Sequence, residues 1–378
     1  MILNKVTNMK RTILMIIVAC MAGSLAMAQK VQRVLAPGQD PVKFTTRRNL
    51  APGQYAYRLD SIVNVASYGK SVFRFAYDTQ GRIAEMLLIS TNFTPEKHIY
   101  HYDKRGFCVG EDEYNVVNGK DVLLAEFRAT YSDEGRMVKK ETKFYDKDGQ
   151  LRLNATDSYT YDKQGNCLEH LSQSLMTPSN TLSKSKTTYA YNALNQRIEE
   201  VIYGHKTQED EFFPNITTTM EYDKKGRVNH QTDITSSGLG EDGKYETFIE
   251  YTEQNGQVVR ETHKRKNPND DQWAVEVKSY AYDTYGNLVR EDLENDNTYS
   301  GSTNYYYDLA TKAENIQGVD WYDKPGMTLL RVGLLCDACG HKYRVTRING
   351  VNASGDFEGL SGSNTSGSDV RFYYSEVK

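Results

Sequence analysis

The residues best suited to local chemistry are two cysteines and a histidine in the last part of the chain. Cys336, Cys339 and His341 lie in the sequence Cys-Asp-Ala-Cys-Gly-His. This spacing fits half of a zinc site, a redox-active dithiol or a local disulfide. A zinc site needs a fourth ligand, and the sequence contains no second Cys-x-x-Cys pair. The pattern therefore favours a structural disulfide or unreactive thiols, with metal binding second and redox chemistry third.

The remaining reactive residues match no catalytic motif. The sequence has no Gly-x-Ser-x-Gly, no His-Glu-x-x-His and no phosphate-binding loop, and its histidines are scattered. Cys108 and Cys167 each stand two residues after a turn glycine, where we expect buried free thiols that pack as small apolar groups. We therefore predict a protein without catalytic residues or cofactor, whose weak metal candidates are Cys336, Cys339 and His341.

One turn motif, Tyr-Asp-x-x-Gly, organises most of the chain. Asp at the first position of a type I turn accepts hydrogen bonds from the amides that follow, and Gly takes the left-handed conformation. The motif therefore predicts a β-hairpin with a bulge at the glycine. Its clearest copies are Tyr77-Asp78 with Gly81, Tyr102-Asp103 with Gly106, Tyr161-Asp162 with Gly165, Tyr222-Asp223 with Gly226, and Tyr282-Asp283 with Gly286.

The spacing of the copies predicts a repeating unit of two strands. Motif tyrosines recur at steps of about thirty residues. Aromatic residues two apart, such as Tyr100 and Tyr102, lie on the same face of a strand, so one face should be aromatic and apolar. The other face should carry Lys, Glu and Thr. The motif turns then share one edge of the sheet, and variable loops around residues 171–186, 204–215, 235–244, 264–272 and 294–302 share the opposite edge.

The N-terminal residues indicate export. Lys5, Lys10 and Arg11 precede an apolar run, and small residues at 26 and 28 supply a cleavage site, so residues 1–28 are predicted to be a signal peptide. Cys20 lies in a sequence that resembles a lipidation site, but the residues after it stay apolar, so simple cleavage is favoured over a lipid anchor. The net charge of −4 predicts no nucleic-acid partner, and no segment has the length of a membrane-spanning helix.

The motif copies resemble the YD-repeat class, the tyrosine-aspartate repeats of Rhs-type proteins and of many exported bacterial proteins. The resemblance covers roughly residues 55–326. It implies a scaffold or surface role, including carbohydrate binding, and it implies no catalytic residues. In large Rhs-type members such repeats wind into a hollow shell around a cargo domain. This chain has about ten copies, which are expected to be too few to close a shell.

Together these features predict an all-β fold, an antiparallel meander of repeated hairpins that forms an extended, twisted or curled single sheet. The expected regions are a signal peptide (1–28), an N-terminal arm (29–54), the repeat sheet (55–314) and a C-terminal β cap with a Gly/Ser-rich loop (315–378). The expected function is a non-catalytic exported scaffold that binds a glycan or a protein at the cell envelope. One alternative is metal or redox chemistry at Cys336, Cys339 and His341. A third is an outer-membrane β-barrel, which charged residues on both strand faces disfavour.

Overall fold

The chain is all-β throughout the part that the structure describes. The computed structural model describes residues 57–66, 69–206, 210–236, 242–268, 272–295, 299–312, 316–317, 343–352 and 368–377. Within these ranges the regular elements are all strands. They include no helix with the length and hydropathy needed to cross a membrane. The predicted signal peptide and N-terminal arm, and with them Cys20, lie outside the described residues.

The strands follow one another at short intervals along the chain. They are β1 Tyr57–Ala66, β2 Gly69–Tyr77, β3 Ile83–Ser90, β4 Glu96–Tyr102, β5 Cys108–Val117, β6 Lys120–Tyr131, β7 Met137–Tyr145, β8 Leu151–Tyr161, β9 Cys167–Met176, β10 Thr181–Tyr191, β11 Arg197–Lys206, β12 Glu211–Tyr222, β13 Val228–Ser236, β14 Asp242–Gln254, β15 Gln257–Lys266, β16 Trp273–Tyr282, β17 Leu288–Asn295, β18 Tyr299–Lys312, β19 Ile316–Gln317, β20 Tyr343–Asn352 and β21 Ser368–Glu376.

Consecutive strands from β1 to β18 pair antiparallel, which confirms the predicted meander of hairpins. At the motif hairpins the pairing shifts by one residue beside the tyrosine. In the β4–β5 hairpin, for example, His101 pairs with Gly110 but Tyr102 pairs with Cys108. The extra residue is a bulge that completes the turn. Local turn chemistry therefore sets the register of the repeating unit.

The sheet closes on itself into a ring, whereas the sequence predicted an extended, twisted or curled single sheet without deciding whether it closes. Strand β18 pairs with β20, β20 pairs with β21, and β21 pairs with β1, all antiparallel. The ring thus consists of β1 to β18 followed by β20 and β21, while β19 makes a short parallel contact with β1. Closure gives hydrogen-bond partners to the backbone groups along the edge of β1, which would be exposed if the sheet did not close. The segment predicted as a cap supplies the two strands that close the ring.

The seam of the ring joins residues that are far apart in sequence. Ile62 pairs with Phe372, and Ser375 Oγ donates a hydrogen bond of 3.0 Å to Asp60 across 315 residues of chain. The main apolar core lies beside this seam. It is built by side chains of strands β1 to β5, β20 and β21, namely Leu59, Ile62, Phe73, Phe75, Ile83, Met86, Leu88, Tyr100, Cys108, Ile348, Val370 and Phe372.

Where the structure describes them, the residues of the predicted variable loops are mostly in strands. Residues 171–176 and 181–186, predicted as one long loop, belong to β9 and β10 and pair with each other through Leu182 and Leu175. Other reversals are two-residue turns, such as Asn118-Gly119 and Asn255-Gly256, in which both residues have positive φ. Polar Ser, Thr and Lys residues resemble loop composition in a sequence, but here ladder hydrogen bonds with both neighbours hold them in strands.

At eight positions a motif tyrosine, or its counterpart in a degenerate copy of the motif, bonds its strand to the preceding strand at the edge that carries the motif turns. In this tyrosine ladder, each hydroxyl donates to a backbone carbonyl on the preceding strand. The residue that carries this carbonyl lies just outside the part of that strand that pairs with the tyrosine's strand. The eight bonds, 2.6 to 3.0 Å long, are Tyr77 to Leu59, Tyr102 to Ile83, Tyr131 to Cys108, Tyr161 to Met137, Tyr222 to Arg197, Tyr251 to Val228, Tyr282 to Val258 and Tyr307 to Leu288. We call the side of the sheet that carries these residues the tyrosine face.

Candidate functional site

The motif turns hold their aspartates by several hydrogen bonds. Asp223 Oδ1 accepts from the backbone N–H of Lys225 at 2.8 Å and of Arg227 at 2.9 Å. The guanidinium of Arg227 donates to Asp223 Oδ2 at 2.6 Å and to Glu253 at 2.6 Å. Partial burial raises the pKa of Asp223, but the bonds from Arg227 and Lys225 outweigh it and hold the pKa below its ordinary value. These groups stabilise the turns and are saturated by the turns themselves.

The other motif copies have the same turn geometry. Their glycines adopt left-handed φ angles, for example 76° at Gly81, 89° at Gly106 and 82° at Gly286. Glycine occupies this position because any side chain would be strained in that conformation. In a degenerate copy Asn195 takes this place with a φ of 59°. Tyr77, Asp78, Asp103, Tyr161, Asp162, Gly165, Gly226, Tyr282 and Asp283 all belong to turns of this kind.

The cysteines give no reactive site within the described residues. Cys108 and Cys167 are both free thiols, as expected. Cys108 is buried, Cys167 is half-buried, and burial raises the pKa of the Cys167 thiol to about 11. A thiol with a raised pKa is a poor nucleophile at neutral pH. Cys336, Cys339 and His341, the strongest local motif of the sequence, lie outside the described residues.

Three aromatic rings form a platform on the face opposite the tyrosine face. The rings of His230 on β13 and Phe248 on β14 stack at a centroid distance of 4.2 Å, with an angle of 7° between their planes. Phe248 in turn meets Trp273 on β16 edge to face at 5.6 Å. Phe248 and Trp273 nevertheless remain 38% and 39% exposed. We call His230, Phe248 and Trp273 the aromatic platform.

Charged side chains surround the aromatic platform. Lys266 lies 6.0 Å from the centre of the Trp273 ring. Lys264 pairs with Glu250 at 2.8 Å, and Lys244 pairs with Glu246 at the same distance. The ring edges are thus flanked by hydrogen-bond donors and acceptors that remain partly exposed. The platform runs obliquely across the sheet, because Trp273 begins β16 at the edge opposite the motif turns, whereas His230 is the third residue of β13 and lies close to a motif turn.

A second cluster of polar groups is buried on the tyrosine face of β4 and β5. Glu96 and His98 on β4, and Glu111 and Glu113 on β5, are 4% to 8% exposed. His98 pairs directly with Glu113 in the ladder, and its Nδ1 lies 2.8 Å from Glu111 Oε1. Burial raises the pKa of Glu111 to about 8, and the neighbouring charge of Asp112 acts in the same direction.

This polar cluster was not predicted from the sequence, because the aromatic face of the strands was expected to be apolar. That expectation holds next to the motif turns, where Ile83 and Val258 are buried, but it was wrong farther along the strands. Buried Glu200 and Glu261 occupy that part of the tyrosine face on other strands. A usable signal was present, because residues an even number of positions before a motif tyrosine share its face, as His98 does with Tyr102.

Comparison with known proteins establishes no family for the chain. No family model and no curated protein matches the sequence. Among solved structures, a Bacteroides fragilis protein of unknown function is similar over 33% of this chain and 92% of its own, with 13% identity and a TM-score of 0.26. A porin-like protein from Bacteroides vulgatus is similar over 60% of this chain and 99% of its own, with 12% identity and a TM-score of 0.30.

A third similar structure is a much longer chain. It is the Photorhabdus luminescens Tc holotoxin pore, which is similar over 66% of this chain with 11% identity and a TM-score of 0.27. This chain spans only 15% of the length of that one.

Proposed function

We propose that the protein is a non-catalytic exported scaffold that binds a glycan through the aromatic platform. The carrying observation is the pair of exposed rings, Phe248 and Trp273, on a strand surface whose other residues are mostly charged. A sugar ring presents C–H groups that pack on an aromatic face, and its hydroxyls hydrogen-bond to charged groups beside it. Carboxylates and ammonium groups such as Glu246 and Lys266 lie in suitable places.

The closed ring supports a scaffold role. Neighbouring hairpins are joined through ladder hydrogen bonds and through the tyrosine hydroxyls, so the wall positions the platform on rigid elements. The similarity of the turn motif to YD repeats is part of the same proposal, since that class implies a surface role and no catalytic residues. Export rests on the N-terminal sequence of the chain.

The proposal is tested by glycan binding of paired variants. The purified protein is screened on a bacterial glycan array, and the strongest hit is then titrated by calorimetry. We expect Phe248→Ala and Trp273→Ala to weaken binding at least tenfold each, because each removes a ring face. Tyr306→Ala is the matched control, since this tyrosine is 44% exposed on β18, away from the platform. An array without hits, or equal loss in all three variants, would refute the proposal.

The ring closure favours one second candidate, an outer-membrane β-barrel, because such barrels have no free sheet edge. Both faces, however, carry charges in mid-strand, for example Glu261 on the tyrosine face and Lys139 and Glu141 on the other. A lipid-facing band has to be apolar, and a Lys at the bilayer centre costs about 2–4 kcal/mol. Membrane fractionation decides between the two, since an integral barrel stays in the pellet after carbonate and urea washes.

A further inference from the structure

The buried polar cluster brings three potential metal ligands together. Glu96, His98 and Glu113 each offer one donor atom, and these atoms all lie within 4.8 Å of one another. Glu96 and His98 are two residues apart on β4, and Glu113 lies opposite His98 on β5, so strand geometry places all three on one face. Two carboxylates and one imidazole form a donor set that suits zinc and similar divalent transition metals.

The histidine is oriented as a metal-binding histidine is. Its Nδ1 lies 2.8 Å from Glu111 Oε1, while its Nε2 lies 4.0 Å from Glu96 Oε2. In protein metal sites the ring nitrogen that does not bind metal commonly donates to a carboxylate, which fixes the ring and its tautomer. Glu111 occupies that supporting position here. The Tyr100 ring lies nearly parallel to the His98 ring on the same strand, with 6.5 Å between the ring centroids.

The distances require only a small adjustment. Donor atoms bound to zinc at about 2.0–2.2 Å in a tetrahedron are separated by about 3.3 Å. The present separations, all within 4.8 Å, exceed that value by at most about 1.5 Å. Three protein ligands would leave a fourth position for water, as in zinc sites that are not purely structural.

We propose that Glu96, His98 and Glu113 bind one divalent transition-metal ion, zinc or a similar ion, with Glu111 as the positioning residue for His98. The ion would link β4 to β5 and balance the buried carboxylates. The site lies on the tyrosine face, so it is separate from the aromatic platform on the opposite face and independent of glycan binding.

The test is zinc titration of metal-free protein in which Cys336 and Cys339 are replaced by Ser. This background removes both thiols of the other candidate site, which His341 completes. Zinc itself is the probe, and its binding is measured by calorimetry. We expect one ion per chain, with affinity lowered at least 100-fold in Glu96→Gln/Glu113→Gln. Glu111→Gln should lower the affinity 10- to 100-fold while one ion still binds. His170→Gln is the control. It changes a histidine on β9 that pairs with Asp157 on β8, and this variant should bind zinc normally.

A second measurement keeps the test decisive if a variant fails to fold. X-ray absorption of the zinc-loaded Cys336→Ser/Cys339→Ser protein should give a nitrogen and oxygen shell with one imidazole and no sulfur. Absence of saturable binding in this protein would overturn the proposal. Stoichiometric zinc that survives in folded Glu96→Gln/Glu113→Gln would overturn it as well.

Discussion

Removing the hydroxyls of the tyrosine ladder one at a time should lower the free energy of unfolding of the closed sheet by about the same amount each time. Tyr222→Phe deletes one oxygen and leaves the ring in place, so it removes the 2.6 Å bond to the carbonyl of Arg197 and little else. The same substitution at Tyr161, Tyr251 and Tyr282 removes bonds of 2.7, 2.8 and 3.0 Å to three other strands. Each change tests the same interaction in a different unit of the repeat.

The expected size follows from ordinary hydrogen-bond energetics. A net contribution of about 1 kcal/mol is typical of one such bond, and a partly buried carbonyl left without its donor adds to the cost. The four hydroxyls bond carbonyls on different strands and share no acceptor, so their effects should add. The quadruple variant should therefore lose about 4 kcal/mol, a large part of the 5–15 kcal/mol by which a typical domain is stable.

Urea unfolding followed by circular dichroism measures these losses. The midpoint should fall in each single variant while the slope stays constant, because the surface exposed on unfolding is unchanged. Tyr306→Phe is the control, since its hydroxyl is not a ladder donor and a surface change of this kind costs less than about 0.5 kcal/mol. Single variants no less stable than Tyr306→Phe would refute the ladder as a source of stability.

Three further predictions concern charge and backbone conformation. Burial raises the pKa of Asp157, but the bond from His170 and the charge of Lys140 outweigh it and lower the pKa to about 2. The ionised Asp157 therefore stabilises the fold above about pH 4, and this contribution is lost as the pH falls through 2. In urea unfolding, Asp157→Asn should lower the free energy of unfolding by about 2 kcal/mol at pH 7 and by about 1 kcal/mol at pH 3. Burial raises the pKa of Tyr161 and Tyr282 to about 12, so their contribution is complete below pH 10 and is lost toward pH 12. Between pH 9 and 11 the free energy of unfolding of the unmodified protein should fall by about 1 kcal/mol for each of these tyrosines, and that of Tyr161→Phe/Tyr282→Phe should fall less. An equal fall in both proteins would contradict the raised pKa of the two tyrosines. Gly149 has a φ of 75°, and no atom lies within 4 Å of the position that a Cβ would take there. Gly149→Ala should therefore cost about 1–2 kcal/mol through backbone strain alone, and Gly149→Asn clearly less; equal thermal shifts of the two variants would contradict this reasoning.

The local parts of the fold were predictable because their causes are local. The turn motif carries its own hydrogen-bond partners within five residues, as Asp103 does with the amides of Arg105 and Phe107. The antiparallel meander follows directly from a succession of such turns. The alternation of side chains also placed Cys108 correctly on the buried face.

Ring closure and the contacts that join the buried polar cluster across strands were not predictable by the same reasoning, although side-chain alternation alone places His98 on the tyrosine face. Closure depends on the pairing of β21 with β1, whose register is set by contacts such as Ile62 with Phe372 and by no neighbouring turn. The polar cluster depends on His98 meeting Glu111 and Glu113 across a strand pair, which composition alone does not reveal. The aromatic platform likewise joins residues of three strands, and only the strand register brings Trp273 to Phe248.

The seam between β1 and β21 also has a consequence for biosynthesis. A chain made from its N-terminus forms β1 early but obtains its partner β21 only when the last strand has been made. Until then one edge of β1 presents unpaired amides and carbonyls to any other extended chain. A circular permutant that begins at the tight turn after Asn118 would bring both seam strands into the middle of synthesis. Such a permutant should give more folded protein and less aggregate at the same expression level.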